Sequence, residues 1–228
     1  MTIRKHKAES IYPDDNLREI DLILKEKEIN QLPLEYFQID DVVFLSQNLL
    51  GKILFTYFDN KLTGGMIVET EAYRAPEDRA SHAFGHRRTK RNEVMFHDGG
   101  ICYVYQCYGI HALFNIVTNI KDSPHAILIR AIEPLYGIDT MLARRNKRKL
   151  DRSVAGGPGS LTVSLGIDIK HNGLPLTNSS LWIEDHGIVV PSDKIIASPR
   201  VGVDYAGKDA KLAWRFRLKD CPWTSPAK

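Results

Sequence analysis

Cysteine is scarce in this chain of 228 residues: three are present, at 102, 107 and 221. An odd count with no metal-ligand or redox spacing argues against a disulfide framework, a zinc site or a thiol redox motif. It reads as reduced thiols in an intracellular protein. No stretch is long and apolar enough to span a membrane, which excludes a helical membrane protein. The opening residues "MTIRKHKAES" have no apolar centre, so no signal peptide is expected and the expected location is the cytoplasm, including the nucleoid. Internal repeats and low-complexity tracts are also missing. With a net charge of +3, the chain is only mildly basic, so charge alone does not assign a nucleic-acid partner. One local absence is more informative: from Arg79 to Arg91 there is no acidic residue.

What is present fits one ordinary globular domain. The hydrophobic fraction is 43% and the charged fraction 26%. "DDNLREIDLILKEKEIN" has apolar residues at helical spacing behind an Asp cap, and predicts an N-terminal amphipathic helix. "DVVFLSQNLLG" predicts another, capped by Asp41 and stopped at Gly51. The period then changes. "KILFTYF", a turn at "DNKLTGG" and "MIVETEAY" read as a β-hairpin. Further strands are expected at "ICYVYQCY", "ALFNIVT", "AILIRAI" and "AWRFRLK". "YGIDTMLARRNKR" and "GGPGSLTVSLGI" predict short helices, the second opening from a glycine-rich loop. Helices and strands do not alternate regularly. The expected fold is therefore α+β, a single mixed domain (residues 34–228) with a largely antiparallel curved sheet surrounded by helices, behind a helical extension (residues 1–33).

Several residues can carry chemistry. Strand alternation places Ile67, Glu69, Glu71 and Tyr73 on one face and Val68, Thr70 and Ala72 on the other. A carboxylate beside an aromatic ring at a strand end can serve as a general base, although an isolated Glu-x-Glu is more often a solvated edge. The loop "RASHAFGHRRTKR" interleaves histidines with arginines and lysine, which suits a phosphate backbone as well as a plain solvated surface. In "ICYVYQCYGIH", Tyr103 reads as core packing, while Tyr108 beside Gly109 can project as a wedge. Asn115 and Arg130 are polar residues within apolar strands and need partners if buried. "GGPGSL" resembles an anion-binding turn but matches no Walker pattern, and a capped turn is the better local reading.

Taken in order, "IVETEAY", "PEDRASH", "TKRN", "YVY…YG…N", "LIRAIEPL", "GGPGSL", "RVGV" and "CPW" resemble the alkyladenine (3-methyladenine) DNA glycosylase family. The resemblance runs from about Phe44 to Trp223. It implies a monofunctional enzyme that flips damaged purines out of duplex DNA and hydrolyses the N-glycosidic bond with water, using neither metal nor organic cofactor. By motif position, Glu71 matches the group that activates water, Arg130 lies near that water, and the backbone carbonyl of Val201 helps to hold it. Tyr73, His82 and Tyr105 match the aromatic faces around the extruded base, and Asn115 the amide that excludes guanine. Tyr108, with Ile110 and His111, matches the intercalating turn. Arg87, Thr89 and Arg91 match positions near the DNA backbone.

Ile110 departs from a usual methionine, and Gln106–Cys107 from usual apolar residues. The expected partner is double-stranded DNA bearing damaged purines, bound by a monomer. Arg130 is expected to lower the Glu71 pKa. Two other readings stand beside this one: a non-catalytic module that recognises distorted DNA with the basic loop and wedge, and a hydrolase of small-molecule C–N bonds that uses Glu71 but leaves the wedge and basic loop without purpose.

Overall fold

The computed structural model describes residues 30–107 and 109–225. The expected N-terminal helix and Tyr108 lie outside these residues.

Eight strands form one sheet in which every pairing is antiparallel: β1 (Ile53–Phe58), β2 (Lys61–Arg74), β3 (Cys102–Cys107), β4 (His111–Thr118), β5 (His125–Tyr136), β6 (Leu181–Glu184), β7 (Ile195–Ser198) and β8 (Arg215–Leu218). The order is β3-β4-β5-β2-β1-β6. β2 is long enough to change partners along one edge, pairing first with β1 and then, over Glu69–Glu71, with β8. The described α-helices are α1 (Val42–Asn48), α2 (Ile138–Arg144) and α3 (Pro158–Leu165), with short 3-10 turns between other elements. None is long and apolar enough to cross a membrane.

The local signals account for most of this. Asp41 caps α1 by accepting from the Phe44 amide at 2.9 Å, as its position predicts. Gly51 follows the helix with a φ of 89°, a conformation open to glycine. The β1–β2 turn is shorter than "DNKLTGG". Asp59 and Asn60 alone make it, both at positive φ, and strand resumes at Lys61. That two-residue form matches the natural twist of paired strands. β6 and β7 have four residues each and were not predicted.

The two faces of the sheet have different jobs. Val104, Phe114, Ile116, Ile127 and Ile129 point to a core shared with Leu45, Met141 and Leu161 of the three helices. Their neighbours in the alternation, Tyr103, Tyr105, Asn115, Leu128 and Arg130, line a cavity on the opposite face. Loops around residues 75–100 and 200–211 cover that side. Ile67 corrects the simple alternation. It belongs to the helix-side core with Ala72 rather than with Glu69, because register shifts between Ile67 and Glu69 and between Glu69 and Thr70 interrupt the period of two. These bulges leave Glu69 and Glu71 together opposite the helices.

Candidate active site

Glu71 is wholly buried; two groups donate hydrogen bonds to its carboxylate and a guanidinium pairs with it. The Val201 amide donates to Oε1 at 2.8 Å, the Tyr73 hydroxyl to Oε2 at 2.8 Å, and Arg130 Nη1 lies 3.2 Å from Oε1. Glu71 itself is not a wall of the cavity. Tyr73, Arg130 and Val201 are, so the carboxylate stands one layer behind a space of about 640 Å³. Val201 meets the glutamate through its N–H; the expectation concerned its carbonyl.

Arg130 is the hinge between two carboxylates. Its Nε donates to Glu69 Oε1 at 2.7 Å while Nη1 faces Glu71. Glu69 also accepts from Arg215 Nε at 2.8 Å, the Ser225 hydroxyl at 2.7 Å and the Ser225 amide at 2.5 Å. Burial alone would raise the Glu69 pKa, but Arg130, Ser225 and Arg215 together outweigh it and hold the group below its ordinary value. Glu71 differs. Burial pushes its pKa up, and Arg130, the Val201 amide and the Tyr73 hydroxyl only partly pull it back. The expectation that Arg130 would leave Glu71 with a lowered pKa is thus corrected: the arginine acts in that direction, but desolvation wins.

The other cavity walls are aromatic and amide groups. His82 packs edge-on to Tyr105, with ring centroids 4.6 Å apart, and its Nδ1 lies 2.9 Å from the Tyr103 hydroxyl. Burial, helped by Arg91, lowers the His82 pKa to about 4, so the imidazole is neutral at physiological pH. Tyr103 is buried core, as predicted, yet it also lines the cavity and orients His82. Asn115 donates to the Tyr103 carbonyl at 3.1 Å, which answers the question of its partner.

At the rim, Arg91 lies over the Tyr105 ring at 5.2 Å. Gly109 is part of the cavity lip, and Ile110 beside it is 73% exposed. His111 is exposed and stands against Gly159 at the start of α3. A second hollow of about 360 Å³ adjoins the first and is lined by Arg79, Arg87, Thr89 and Arg91, among others. Arg88 is set apart from these, tied to Glu93 and Asp122. Asn92, 2% exposed, holds the loop in shape: its Nδ2 donates to the His82 and Arg87 carbonyls, and its Oδ1 accepts from Thr89.

Residues 36–222 match the model of the Methylpurine-DNA glycosylase (MPG) family. The chain belongs to the methylpurine-DNA glycosylase family. It is therefore a DNA-repair hydrolase of the N-glycosidic bond. A Chlamydia felis relative is 46% identical over 188 residues, covering 82% of this chain and 95% of that protein. A Bacillus cereus relative is 40% identical over 207 residues (86% and 98%), and one from Clostridium novyi 37% over 196 residues (83% and 96%). All three bear the name "Putative 3-methyladenine DNA glycosylase".

The surroundings of this cavity include residues that the sequence reading did not single out. Asp78 and Arg200 form a buried bidentate pair. Arg200 lies over the Tyr73 ring at 4.7 Å and donates to the Ala72 carbonyl at 2.8 Å. Arg215, Ser225 and Asn92 likewise act behind the cavity wall. The family-like stretches "PEDRASH", "RVGV" and "TKRN" contain three of these five, but nothing in a linear reading pairs Asp78 with Arg200.

Proposed function

We propose that this glycosylase flips a methylated purine out of duplex DNA into the 640 Å³ cavity and hydrolyses its glycosidic bond with water activated by Glu71. The observation that carries the reading is the buried Glu71, fixed by Arg130, Tyr73 and the Val201 amide immediately behind an aromatic-walled cavity. Its volume falls within the usual range for small-molecule pockets, about 300–1,000 Å³.

An ionised carboxylate offers roughly four acceptor positions. Oε1 accepts from the Val201 amide and faces Arg130 Nη1, while Oε2 accepts only from the Tyr73 hydroxyl, so the more open position for water is on Oε2. Water entering between Tyr73, Arg130 and Val201 gives its proton to Glu71 as its oxygen bonds to the sugar carbon. The glycosidic electron pair leaves with the base. A purine alkylated at N3 or N7 is cationic and departs neutral, so placement and charge stabilisation do most of the work. A carboxylate with a raised pKa is well matched to accept that proton near neutral pH.

Stacking on Tyr73, His82 and Tyr105 contributes about 1–3 kcal/mol per base with little base preference. Extrusion costs least for a damaged base. Selection then rests on the Asn115 amide, which excludes guanine, and deaminated purines join the substrate range. Neutral His82 spares a cationic base the repulsion of an imidazolium. The Gly109–His111 turn, with Tyr108, occupies the vacated position in the duplex, and Arg87, Thr89 and Arg91 hold the backbone. The enzyme works as a monomer in the cytoplasm, on nucleoid DNA, with no metal or organic cofactor.

The test is single-turnover release of methylated purine by Glu71→Gln. Excision should fall at least about a hundredfold, with binding to the damaged duplex retained. Normal excision removes Glu71 from its role.

A further inference from the structure

We propose that the buried Asp78–Arg200 pair is a clamp that positions the catalytic carboxylate, acting through two of the three groups that hold it, Tyr73 and the Val201 amide. This rests on the reading of Glu71 as the base.

Buried ion pairs are seldom good value for stability alone, because desolvation offsets much of their attraction. This one is fully enclosed on both sides. The places it reaches are all next to the chemistry. Arg200 is covalently adjacent to Val201, whose amide donates to Glu71 Oε1. Arg200 Nη1 donates to the carbonyl of Ala72, the residue between Glu71 and Tyr73. The guanidinium lies over the ring of Tyr73, whose hydroxyl donates to Glu71 Oε2. A shift of Arg200 therefore displaces both donors together. Asp78 Oδ1 also accepts from the Ala80 amide, and Arg200 Nη2 donates to the Asp209 carbonyl, which ties the clamp to both covering loops.

A network this specific can only be assigned to positioning if it changes the behaviour of Glu71. The charged and titratable groups around that carboxylate are Arg130 from β5, Arg215 from β8, Tyr73 and Glu69 from β2, Tyr105 from β3, and Arg200 itself. Of these, Tyr73 alone touches both Glu71 and the clamp.

The experiment measures single-turnover excision from a duplex carrying one methylated purine, from about pH 5 to about pH 8. In Asp78→Asn and Arg200→Lys, looser donors favour protonated Glu71, so the acid limb moves to higher pH. For a shift of about one pH unit, the rate on the acid side of the limb should fall about tenfold more than the rate above it. Arg200→Lys keeps the charge but not the forked geometry. Binding of undamaged duplex, set by backbone contacts, should stay within about twofold. Tyr73→Phe should move the limb in the same direction, and adding Asp78→Asn to it should give less than the sum of the two shifts.

Folded clamp variants with the parental pH profile overturn the proposal. So does an unmoved limb in Tyr73→Phe, which decides the matter even where the clamp variants do not fold. Failure of the underlying reading looks different: Glu71→Gln then excises normally, whatever the clamp variants do.

Discussion

Arg130 serves two carboxylates of unequal character. Glu69 is saturated by two arginines and Ser225, while Glu71 keeps an acceptor position free. Removing the shared cation leaves both acids short of charge in a buried site, so Arg130→Met should cost about 3–5 kcal/mol, measured by urea denaturation. The two acids also act oppositely with pH. The folded-state pKa of Glu69 is lowered, so its contribution is present above its ordinary value of 4.5 and is lost as pH falls through the depressed value. Glu71 has a raised folded pKa, so stability falls as pH rises from its ordinary value of 4.5 towards the raised one, and the full cost is present above it. Glu71→Gln should therefore be at least as stable as the parent at neutral pH, and thermal unfolding at two pH values will show it. The catalytic limb follows the same sign. Excision should be lost as pH falls through the raised Glu71 pKa.

β2 carries the site because it is irregular. Its register shifts against β5 put Glu69 and Glu71 on the cavity side, and Gly65 marks one of them. A Cβ at Gly65 would stand 2.4 Å from the Glu133 carbonyl oxygen, which belongs to the β5 backbone. Gly65→Ala should cost roughly 1–3 kcal/mol through forced separation of the strands, again read by denaturation, with slower excision from the parted β2–β5 pair. Period and caps were legible: the strands β1 to β5 and β8 and the Asp41 cap all followed from local pattern. Bulges leave no such mark, which is why Ile67 was assigned to the wrong face. The short strands β6 and β7 offer too few residues to show a period. Partners were less visible still, since Glu69 meets Arg130, Arg215 and Ser225 across 61, 146 and 156 residues. The role proposed for Glu71 came through motif order, because an isolated Glu-x-Glu carries almost no signal.

At the scale of the molecule, charge is arranged rather than abundant. A net charge of +3 is small, yet Arg79, Arg87 and Arg91 converge on the hollow beside the larger cavity. Asn92 fixes that loop from beneath, so these cations are presented without a large ordering cost on binding. Arg88, one residue along, is bound by Glu93 and Asp122 and contributes little net charge there. Neighbouring arginines should thus behave differently on DNA. Arg87→Ala should weaken binding to damaged and undamaged duplex alike and reduce the slope of log K against log salt by about 0.9, the value for one phosphate contact. Arg88→Ala should leave that slope unchanged, because its guanidinium is already engaged. Titrations of both variants at several salt concentrations make the comparison. Equal slopes for the two would mean that the loop is a general cationic surface, and the specific place given to Arg87 would be lost.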